Sequence, residues 1–207
     1  MLYWFLRILV LPFYRLIYRQ KVYGRENLPK DGKVIIIGNH YSKADVFMMS
    51  TLYRKKVFFL AKKEWFSSKF KSWFFKKLGG IPVDREKADL ASLKNCLKTI
   101  RDGKTLVVFP EGTRNKTADE DLLPLKGGAS FIAYLSKTPV VPVAMSRKFR
   151  PFRKNYVYIG EKFDFSEFKD RKFNAETSDE TTEIMRGKLL DALYNAREKE
   201  KSKGKRK

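Results

Sequence analysis

His40 and Asp45 are two side chains whose types and spacing could move a proton, and His40 is the only histidine in the 207 residues. If the chain folds back on itself, the Asp45 carboxylate can accept a hydrogen bond from one ring nitrogen of His40. That bond would fix the tautomer and leave the other nitrogen pointing outward, as a general base needs. The alternative is a surface histidine beside an ordinary helix-capping aspartate, and the two residues taken alone favour this alternative.

The residues around His40 predict that it lies in a loop. Residues 33–37, Lys-Val-Ile-Ile-Ile, are mostly apolar and β-branched, which is typical of a buried strand. Ser42, with Asp45 three residues later, is typical of a helix N-terminus in which Ser42 is the cap. His40 is therefore expected where a strand ends and a helix begins, which is where open α/β sheets place ligands and catalytic groups.

A second polar loop follows another predicted strand. Residues 105–109 are typical of a buried strand, and they run into residues 110–114, which carry a carboxylate, a glycine, a hydroxyl and a guanidinium. The forked guanidinium of Arg114 has a geometry that suits a phosphate monoester. The alternative is a structural turn with an incidental ion pair.

The composition limits the function classes without choosing among them. The chain carries 45 Lys and Arg against 23 Asp and Glu, a formal net charge of +22. Such a charge attracts nucleic acid, anionic lipid headgroups, phosphorylated metabolites or an acidic carrier protein. Cys96 is the only cysteine, so an intrachain disulfide is excluded, and its helical surroundings predict core packing. With one histidine and one cysteine, no metal site is expected.

The first 22 residues are predicted to form an amphipathic helix at a membrane interface. They are apolar and aromatic, but three arginines and Pro12 interrupt them, so they fall short of the ~20 apolar residues that a membrane span needs. A signal peptide is not expected, because the basic start and the small-residue cleavage site are missing. Arg15 and Arg19 lie four residues apart and share a face that suits lipid headgroups. An ordinary core-packing helix is the alternative.

Residues 62–77 interleave aromatic side chains with lysines. At helical spacing several aromatics fall together with lysines beside them, which is typical of a helix on a membrane surface. An aromatic core face with a solvated basic side explains the pattern equally well. Such aromatics could also stack on single-stranded nucleic acid, but no RNP-like or other nucleic-acid motif accompanies them.

Strand and helix patterns alternate along the chain, which predicts an α/β fold with a largely parallel central sheet flanked by helices. We expect one domain over residues 23–198, after the interfacial helix and before a basic, disordered tail over residues 199–207. The predicted strand over 139–144 has prolines at its margins, which suggests an edge strand or a bend.

Four short blocks occur in one order along the chain. They are Asn39-His40-(four residues)-Asp45, Gly80-Ile81-Pro82-Val83-Asp84-Arg85, Phe109-Pro110-Glu111-Gly112-Thr113-Arg114 and Val141-Pro142-Val143. In their order and spacing they resemble the glycerolipid acyltransferases that carry an H-x4-D motif, and most closely the bacterial 1-acyl-sn-glycerol-3-phosphate (lysophosphatidic acid) acyltransferases. The resemblance covers roughly residues 34–144, and the four blocks together make it specific.

The resemblance implies a role for each block. His40 would deprotonate the sn-2 hydroxyl of lysophosphatidic acid, with Asp45 holding the ring, and the oxygen would attack an acyl thioester directly to give phosphatidic acid. Acyl carrier protein or coenzyme A would carry the acyl chain, and no cofactor is implied. The positions that match the family's glycerol-phosphate site are Arg114 as the first choice, Arg85 and Lys62 as supporting cations, and Glu111, Gly112 and Thr113.

The implied partners are a phospholipid membrane surface, lysophosphatidic acid and the acyl donor, and not nucleic acid. We expect a peripheral, monotopic protein at the cytoplasmic face of the cell membrane. The same residues would also serve an enzyme that acylates glycerol 3-phosphate or another lysophospholipid. A basic membrane- or nucleic-acid-binding protein without activity would explain the charge, but it would leave the lone His40 beside Asn39 and Asp45 as a coincidence.

Overall fold

The computed structural model describes residues 2–30, 33–84, 89–117 and 120–204, and these residues form helices around one seven-stranded sheet. The predicted α/β fold with a largely parallel central sheet is confirmed. The helices are α1 Leu2–Ile17, α2 Asp45–Leu52, α3 Lys69–Lys77, α4 Leu90–Arg101, α5 Gly128–Ser136 and α6 Ala175–Gly204. The strands are β1 Gln20–Tyr23, β2 Ile35–Gly38, β3 Val57–Lys62, β4 Gly80–Val83, β5 Thr105–Val108, β6 Val140–Met145 and β7 Asn155–Ile159.

The strand order in the sheet is β1-β7-β6-β2-β5-β3-β4. The neighbours from β6 to β4 pair in parallel, so β2, β3, β4, β5 and β6 all end at one edge, which we call the carboxyl edge. Strand β7 runs antiparallel to β6, and β1 runs parallel to β7. Strands β1 and β7 therefore begin at the carboxyl edge, beside the ends of the other five.

Helices cover both faces of the sheet, which explains the continuous apolar runs of its inner strands. In β2, Ile35 and Ile37 are buried against α4, α5 and α6, while Ile36 is buried on the opposite face with residues of α1 and α2. Successive side chains of a strand point to opposite faces, so a strand buried on both needs apolar residues at every position. The core thus lies in two layers, one on each side of the sheet.

Strand β6 is an inner strand, so the prediction of an edge strand over 139–144 is wrong. Pro142 lies in the middle of β6 and lacks the N–H that a ladder needs. Its carbonyl accepts a hydrogen bond from Gly160 N at 2.8 Å, and Gly160 directly follows the last residue of β7. The backbone of Pro142 therefore faces β7 and not β2. The missing donor therefore removes no hydrogen bond from the ladder with β2.

The two ends of the chain differ in part from their predictions. Residues 20–22, expected within the N-terminal helix, form the start of β1. The disordered tail predicted over 199–207 is wrong for residues 199–204, because α6 continues to Gly204. Tertiary contacts hold this part of the helix, since Glu200 pairs with Arg147. Residues 205–207 lie outside the described residues.

The aromatic and basic segment over 62–77 forms a short 3-10 turn, Lys63–Phe66, and then α3. Ser68 caps α3, and its side chain accepts from Lys71 N at 3.2 Å. Phe70 and Trp73 are exposed on α3, whereas Phe66 packs against the core layer of α1 and α2. In the described ranges, none of the helices combines the length and the apolar character that a membrane crossing requires.

Candidate active site

His40 lies two residues beyond the end of β2 and faces Asp45, the first residue of α2. His40 Nδ1 is 2.9 Å from Asp45 Oδ2, and the two side chains are 8% and 1% exposed. Asp45 Oδ2 also accepts from Tyr41 N and Ser42 N, each at 2.7 Å. The carboxylate thus holds both the ring and the backbone of the loop, and His40 Nε2 has no protein partner within the described ranges. The predicted contact between His40 and Asp45 is present.

Ser42 does not cap the helix, so that prediction is wrong. Helix α2 begins at Asp45 with Ala44 at the N-cap position, and Ala44 makes no side-chain cap bond. Ser42 Oγ instead accepts from Ala44 N at 3.2 Å and donates to Asp45 Oδ1 at 2.8 Å. The Asp45 carboxylate accepts from the amides of the preceding turn, so the helix starts two residues later than a cap at Ser42 indicates.

Glu111, in the loop after β5, fixes the backbone of His40. Its Oε1 accepts from His40 N at 2.7 Å and its Oε2 from Leu123 N at 3.0 Å, and the side chain is buried. Asn115 N donates to His40 O at 2.7 Å, so the amide and the carbonyl of His40 are both bonded to this loop. Glu111, predicted among the substrate-binding residues, uses both its oxygens inside the protein.

Burial raises the pKa of the Glu111 carboxyl above its usual range, because desolvation disfavours the charged form. The amides of Leu123 and His40 oppose this shift, as does the charge of Arg186, whereas the nearby Asp45 adds to it. Burial thus makes the charged form of this carboxyl unfavourable, while hydrogen bonds to two backbone amides hold it in place. This arrangement is typical of a residue that positions its neighbours.

Asn39 ties the same loop to β6. Its Nδ2 donates to Met145 O at 2.8 Å, and its Oδ1 accepts from Met145 N at 2.9 Å. The side chain thus takes the place of a strand residue at the end of β6. With this bond, the loop that carries His40 is fixed to the strands on both sides of β2.

Phe109 joins the histidine to an apolar cavity. Its ring stacks on the His40 ring with centroids 4.2 Å apart and planes 19° apart. Phe109 also lines a cavity of about 480 Å³ between the sheet, α4 and α5. Burial raises the pKa of the Cys96 thiol, in the wall of this cavity, to about 12, so the sulfur is neutral and unsuited to nucleophilic attack. Other apolar side chains of the wall are Leu60, Leu93, Val108, Phe131 and Ile132.

The loop after β5 also places the predicted phosphate ligands. Arg114 is half-buried and has no ion-pair partner among the described residues, and Thr113 is exposed. Gly112 has a φ of +66°, and a Cβ built there would lie 2.8 Å from Lys126 Cδ. Glycine adopts this positive φ without strain, and Lys126 adds a cation that the sequence did not single out.

Two further predicted cations belong to the strands beyond β5. Lys62 ends β3, two strands from β2 or roughly 10 Å at ~4.8 Å per strand, and its ammonium lies 3.5 Å from Glu64. Arg85 follows β4 and lies outside the described residues. The structure therefore brings His40, Asp45 and Glu111 into contact, sets residues 112–114 on the neighbouring strand end, and leaves Lys62 further along the same edge.

Sequence reasoning missed several contacts of this site. The bonds of Asn39 to Met145 and of Glu111 to Leu123 join distant parts of the chain and leave no local pattern. The only signal for Phe109 was its place at the strand end, directly before the polar loop. Together the residues form a buried, oriented imidazole beside cations and an apolar cavity. Such a site can remove a proton from a hydroxyl group of an amphiphilic anion.

Comparisons with known proteins find relatives in sequence. The sequence model of the family described as Acyltransferase matches residues 19–146. The chain is similar to a 1-acyl-sn-glycerol-3-phosphate acyltransferase of Bacillus subtilis (strain 168), with 39% identity over 125 residues, which are 60% of this chain and 61% of that protein. It is also similar to a Saccharomyces cerevisiae protein of the same name, with 39% identity over 129 residues, which are 61% of this chain and 42% of that protein.

A relative is also found among solved structures. The fold is similar to the crystal structure of the 1-acyl-sn-glycerophosphate (LPA) acyltransferase, PlsC, from Thermotoga maritima. The TM-score is 0.63 at 26% identity, and the match covers 87% of this chain and 72% of that one. By sequence, the matched part spans about three fifths of the Bacillus relative and two fifths of the yeast relative.

Proposed function

The chain belongs to the acyltransferase family, and from this premise we propose that it moves a fatty acyl chain from a thioester to the sn-2 hydroxyl of lysophosphatidic acid. The product would be phosphatidic acid, a precursor of phospholipids. The observation that carries the proposal is the 2.9 Å bond between His40 Nδ1 and Asp45 Oδ2, which leaves Nε2 toward a substrate. The names of the two sequence relatives support lysophosphatidic acid as the acceptor.

His40 acts as the general base. Its Nε2 takes the proton of the acceptor hydroxyl while the hydroxyl oxygen attacks the thioester carbonyl carbon. The carbon–sulfur bond of the resulting tetrahedral intermediate then breaks, and the imidazolium returns the proton to the leaving thiolate. Asp45 stabilises the imidazolium between these steps and keeps the ring in one orientation. No acyl-enzyme is needed, in agreement with the neutral, buried thiol of Cys96.

The acceptor phosphate binds at the loop after β5. The Arg114 guanidinium can form two parallel hydrogen bonds to a phosphate monoester, and Lys126 lies against the same turn at Gly112. Thr113 and Lys62 remain supporting candidates at the carboxyl edge, and Arg85, outside the described residues, remains a third candidate. Glu111 acts as a positioning residue, because both its oxygens hold backbone amides.

The acyl chain of the donor occupies the cavity between α4 and α5. The cavity is mostly apolar, as a fatty acyl chain requires, and Phe109 connects its wall to the His40 ring. Acyl carrier protein and coenzyme A are both anionic, and the net charge of +22 suits either carrier. The mechanism uses no metal and no cofactor beyond this co-substrate.

The protein works at a phospholipid membrane surface, as a peripheral, monotopic protein of the cytoplasmic face. Helix α1 supports this part of the proposal, because Phe5, Ile8 and Phe13 are exposed on it although they are large and apolar. Such side chains enter the boundary between headgroups and acyl chains when a helix lies in the interface. The acceptor can then be bound without leaving the lipid layer.

The test is thiol release from a long-chain acyl thioester, measured with and without lysophosphatidic acid for the wild type and for His40→Ala. We expect release that depends on the acceptor and is lost in the variant. Release with glycerol 3-phosphate or another lysophospholipid alone would keep the chemistry and change the acceptor. No release from folded protein with either donor and any acceptor would contradict the proposal and favour a binding protein without activity.

A further inference from the structure

A second pocket, remote from the cavity between α4 and α5, opens where α1 meets the sheet. It has a volume of about 360 Å³ and lies at the carboxyl edge, beside the first residues of β1 and β7. Five of its six lining residues are cations, and none is an acid. They are Arg15, Arg19, Lys21, Arg25 and Lys154, with Gln20 as the sixth.

The positive charge of this pocket is not balanced by the protein. None of the five cations forms an ion pair with an acidic residue in the described ranges, and only Arg15 has a side-chain bond, to Thr51 O at 3.3 Å. Gln20, the neutral member of the lining, accepts from Thr51 Oγ1 at 2.9 Å and adds no negative charge to the pocket. The pocket therefore suits an anion with several oxygens.

Exposed apolar side chains lie within two residues of Arg15 and Lys154, which line the pocket. Phe152 is 68% exposed and has a φ of +58°, a conformation that is rare for a bulky residue. Its N–H donates to the carbonyl of Ile17, the last residue of α1, at 2.6 Å. Phe13 and Leu16, in the last turns of α1, are 62% and 67% exposed. The strained turn thus presents an aromatic ring to solvent beside an apolar helix end, and such strain is concentrated at functional sites.

We propose that this pocket binds the phosphate headgroup of an anionic phospholipid while Phe152, Phe13 and Leu16 enter the adjoining acyl layer. A phospholipid is the occupant that satisfies both features, since a soluble phosphate leaves the apolar residues without a partner. The inference rests on the membrane association in the proposed function, and it adds a lipid site separate from the acceptor site. The pocket lies on the same edge as His40, so a bound headgroup fixes the height of that histidine above the lipid.

The first experiment measures vesicle binding by cosedimentation. The vesicles are phosphatidylcholine alone and phosphatidylcholine mixed with phosphatidylglycerol. Arg19→Gln with Arg25→Gln should weaken binding to the anionic vesicles by about 30-fold, which is about 2 kcal/mol for two headgroup contacts. Lys21→Gln with Lys154→Gln should act alike. The matched control, Lys33→Gln with Lys137→Gln, removes the same charge near the start of β2, at the opposite edge, and should change binding far less.

The second experiment separates the apolar contact from the charge. Phe152→Ser should weaken binding to both kinds of vesicle by about 10-fold, because the loss of an inserted ring does not depend on lipid charge. Acyl transfer to lysophosphatidic acid dissolved in detergent should be unchanged in all these variants. That assay tests the proposed function by itself, so its failure in the wild type is distinct from failure of the lipid site.

Three results would overturn the inference. Equal losses in the pocket and control variants would show a diffuse surface charge instead of a site. A raised KM for acyl-coenzyme A in detergent, with vesicle binding intact, would assign the pocket to the donor. Binding of the wild type to acyl carrier protein that the pocket variants lose, again with vesicle binding intact, would assign it to an acidic protein.

Discussion

His40 Nδ1 lies 2.9 Å from Asp45 Oδ2, and the same carboxylate oxygen accepts from the amides of Tyr41 and Ser42. One atom of Asp45 therefore orients the imidazole and closes the turn that carries it. The chain needs only the six residues from His40 to Asp45 to build this unit, because Asp45 stands at the start of a helix whose N-terminus favours negative charge.

Replacement of Asp45 by Asn tests the charge separately from the geometry. The amide oxygen of Asn can still accept from the ring and the two backbone amides, and its NH₂ can donate to Ser42 Oγ. The loss is then that of a hydrogen bond to a charged group, about 1.5–3 kcal/mol, so kcat should fall about 10- to 100-fold. The KM for the acceptor should change little, as steady-state kinetics will show. Asp45→Ala should lose more activity and also stability; wild-type kcat in Asp45→Asn would contradict the role of the charge.

Glu111→Gln tests the buried anchor of the histidine loop. A glutamine must turn its NH₂ toward either His40 N or Leu123 N, so one buried amide loses its acceptor. We expect the free energy of unfolding to fall by about 1–3 kcal/mol, together with kcat. Denaturant unfolding and kinetics measure the two effects. Full activity with reduced stability in Glu111→Gln would show that Glu111 stabilises the fold but is not needed to position His40 for catalysis.

The raised pKa of Glu111 predicts a pH dependence of stability, which the same variant can test. Burial raises the pKa of Glu111 above its ordinary value of 4.5, so the folded protein binds this proton more tightly than the unfolded chain. The stability that Glu111 contributes is then complete below about pH 4.5 and is lost as the pH rises through the raised pKa. The difference in unfolding free energy between wild type and Glu111→Gln should be larger at about pH 4 than at about pH 7. A difference that grows toward neutral pH would contradict the direction of the shift.

Arg114→Ala tests the phosphate contact. A hydrogen bond between charged groups contributes about 1.5–3 kcal/mol, so kcat/KM for lysophosphatidic acid should fall about 10- to 100-fold. The KM for the thioester should stay unchanged. Lys116→Ala removes an exposed cation two residues away and is the matched control. Equal effects of the two changes would reduce the role of Arg114 to general surface charge.

Leu93→Trp tests the acyl cavity. Leu93 lines the cavity, and an indole there shortens the space open to an acyl chain. Each methylene of the acyl chain that the cavity no longer holds removes about 0.8 kcal/mol of burial free energy. The loss of two methylenes would lower kcat/KM by about 15-fold for long acyl chains and leave shorter chains unaffected. Leu97→Trp lies one turn further along α4, packs against the same core and does not line the cavity. Its chain-length profile should match the wild type, and a common shift in both variants would contradict the assignment.

Most elements of the fold were predictable from local pattern. The runs at 33–37 and 105–109 became β2 and β5 with ends displaced by two residues at most, because a strand buried on both faces must be apolar throughout. The antiparallel direction of β7 was not predictable, because the residue pattern over 155–159 predicts a strand but does not show whether it pairs in parallel or antiparallel. Pro142 led to the wrong prediction of an edge strand for a related reason. Whether an inner strand tolerates a proline depends here on where the neighbouring β7 ends, which the sequence does not show.

In the candidate site, too, local contacts were predictable from the sequence and long-range contacts were not. The contact of His40 with Asp45 is local, and the four sequence blocks indicated it. Glu111 was assigned to the substrate because its block resembles the glycerol-phosphate site of the family, and no local pattern shows that its two oxygens bind backbone amides. Its partners, His40 N and Leu123 N, lie 71 and 12 residues away, and only the folded chain brings them to its two oxygens.

The pairing of β1 with β7 joins residues 20–23 to residues 155–159. The side chain of Asn27 likewise donates to Ile159 O, 132 residues further along the chain. Synthesis proceeds from the N-terminus, so the strand that follows α1 has no partner in the sheet until most of the protein has left the ribosome. Closing so long a loop is entropically costly and slow. The segment that comes first in the chain is therefore among the last to be fixed, and its docking is a late step of folding.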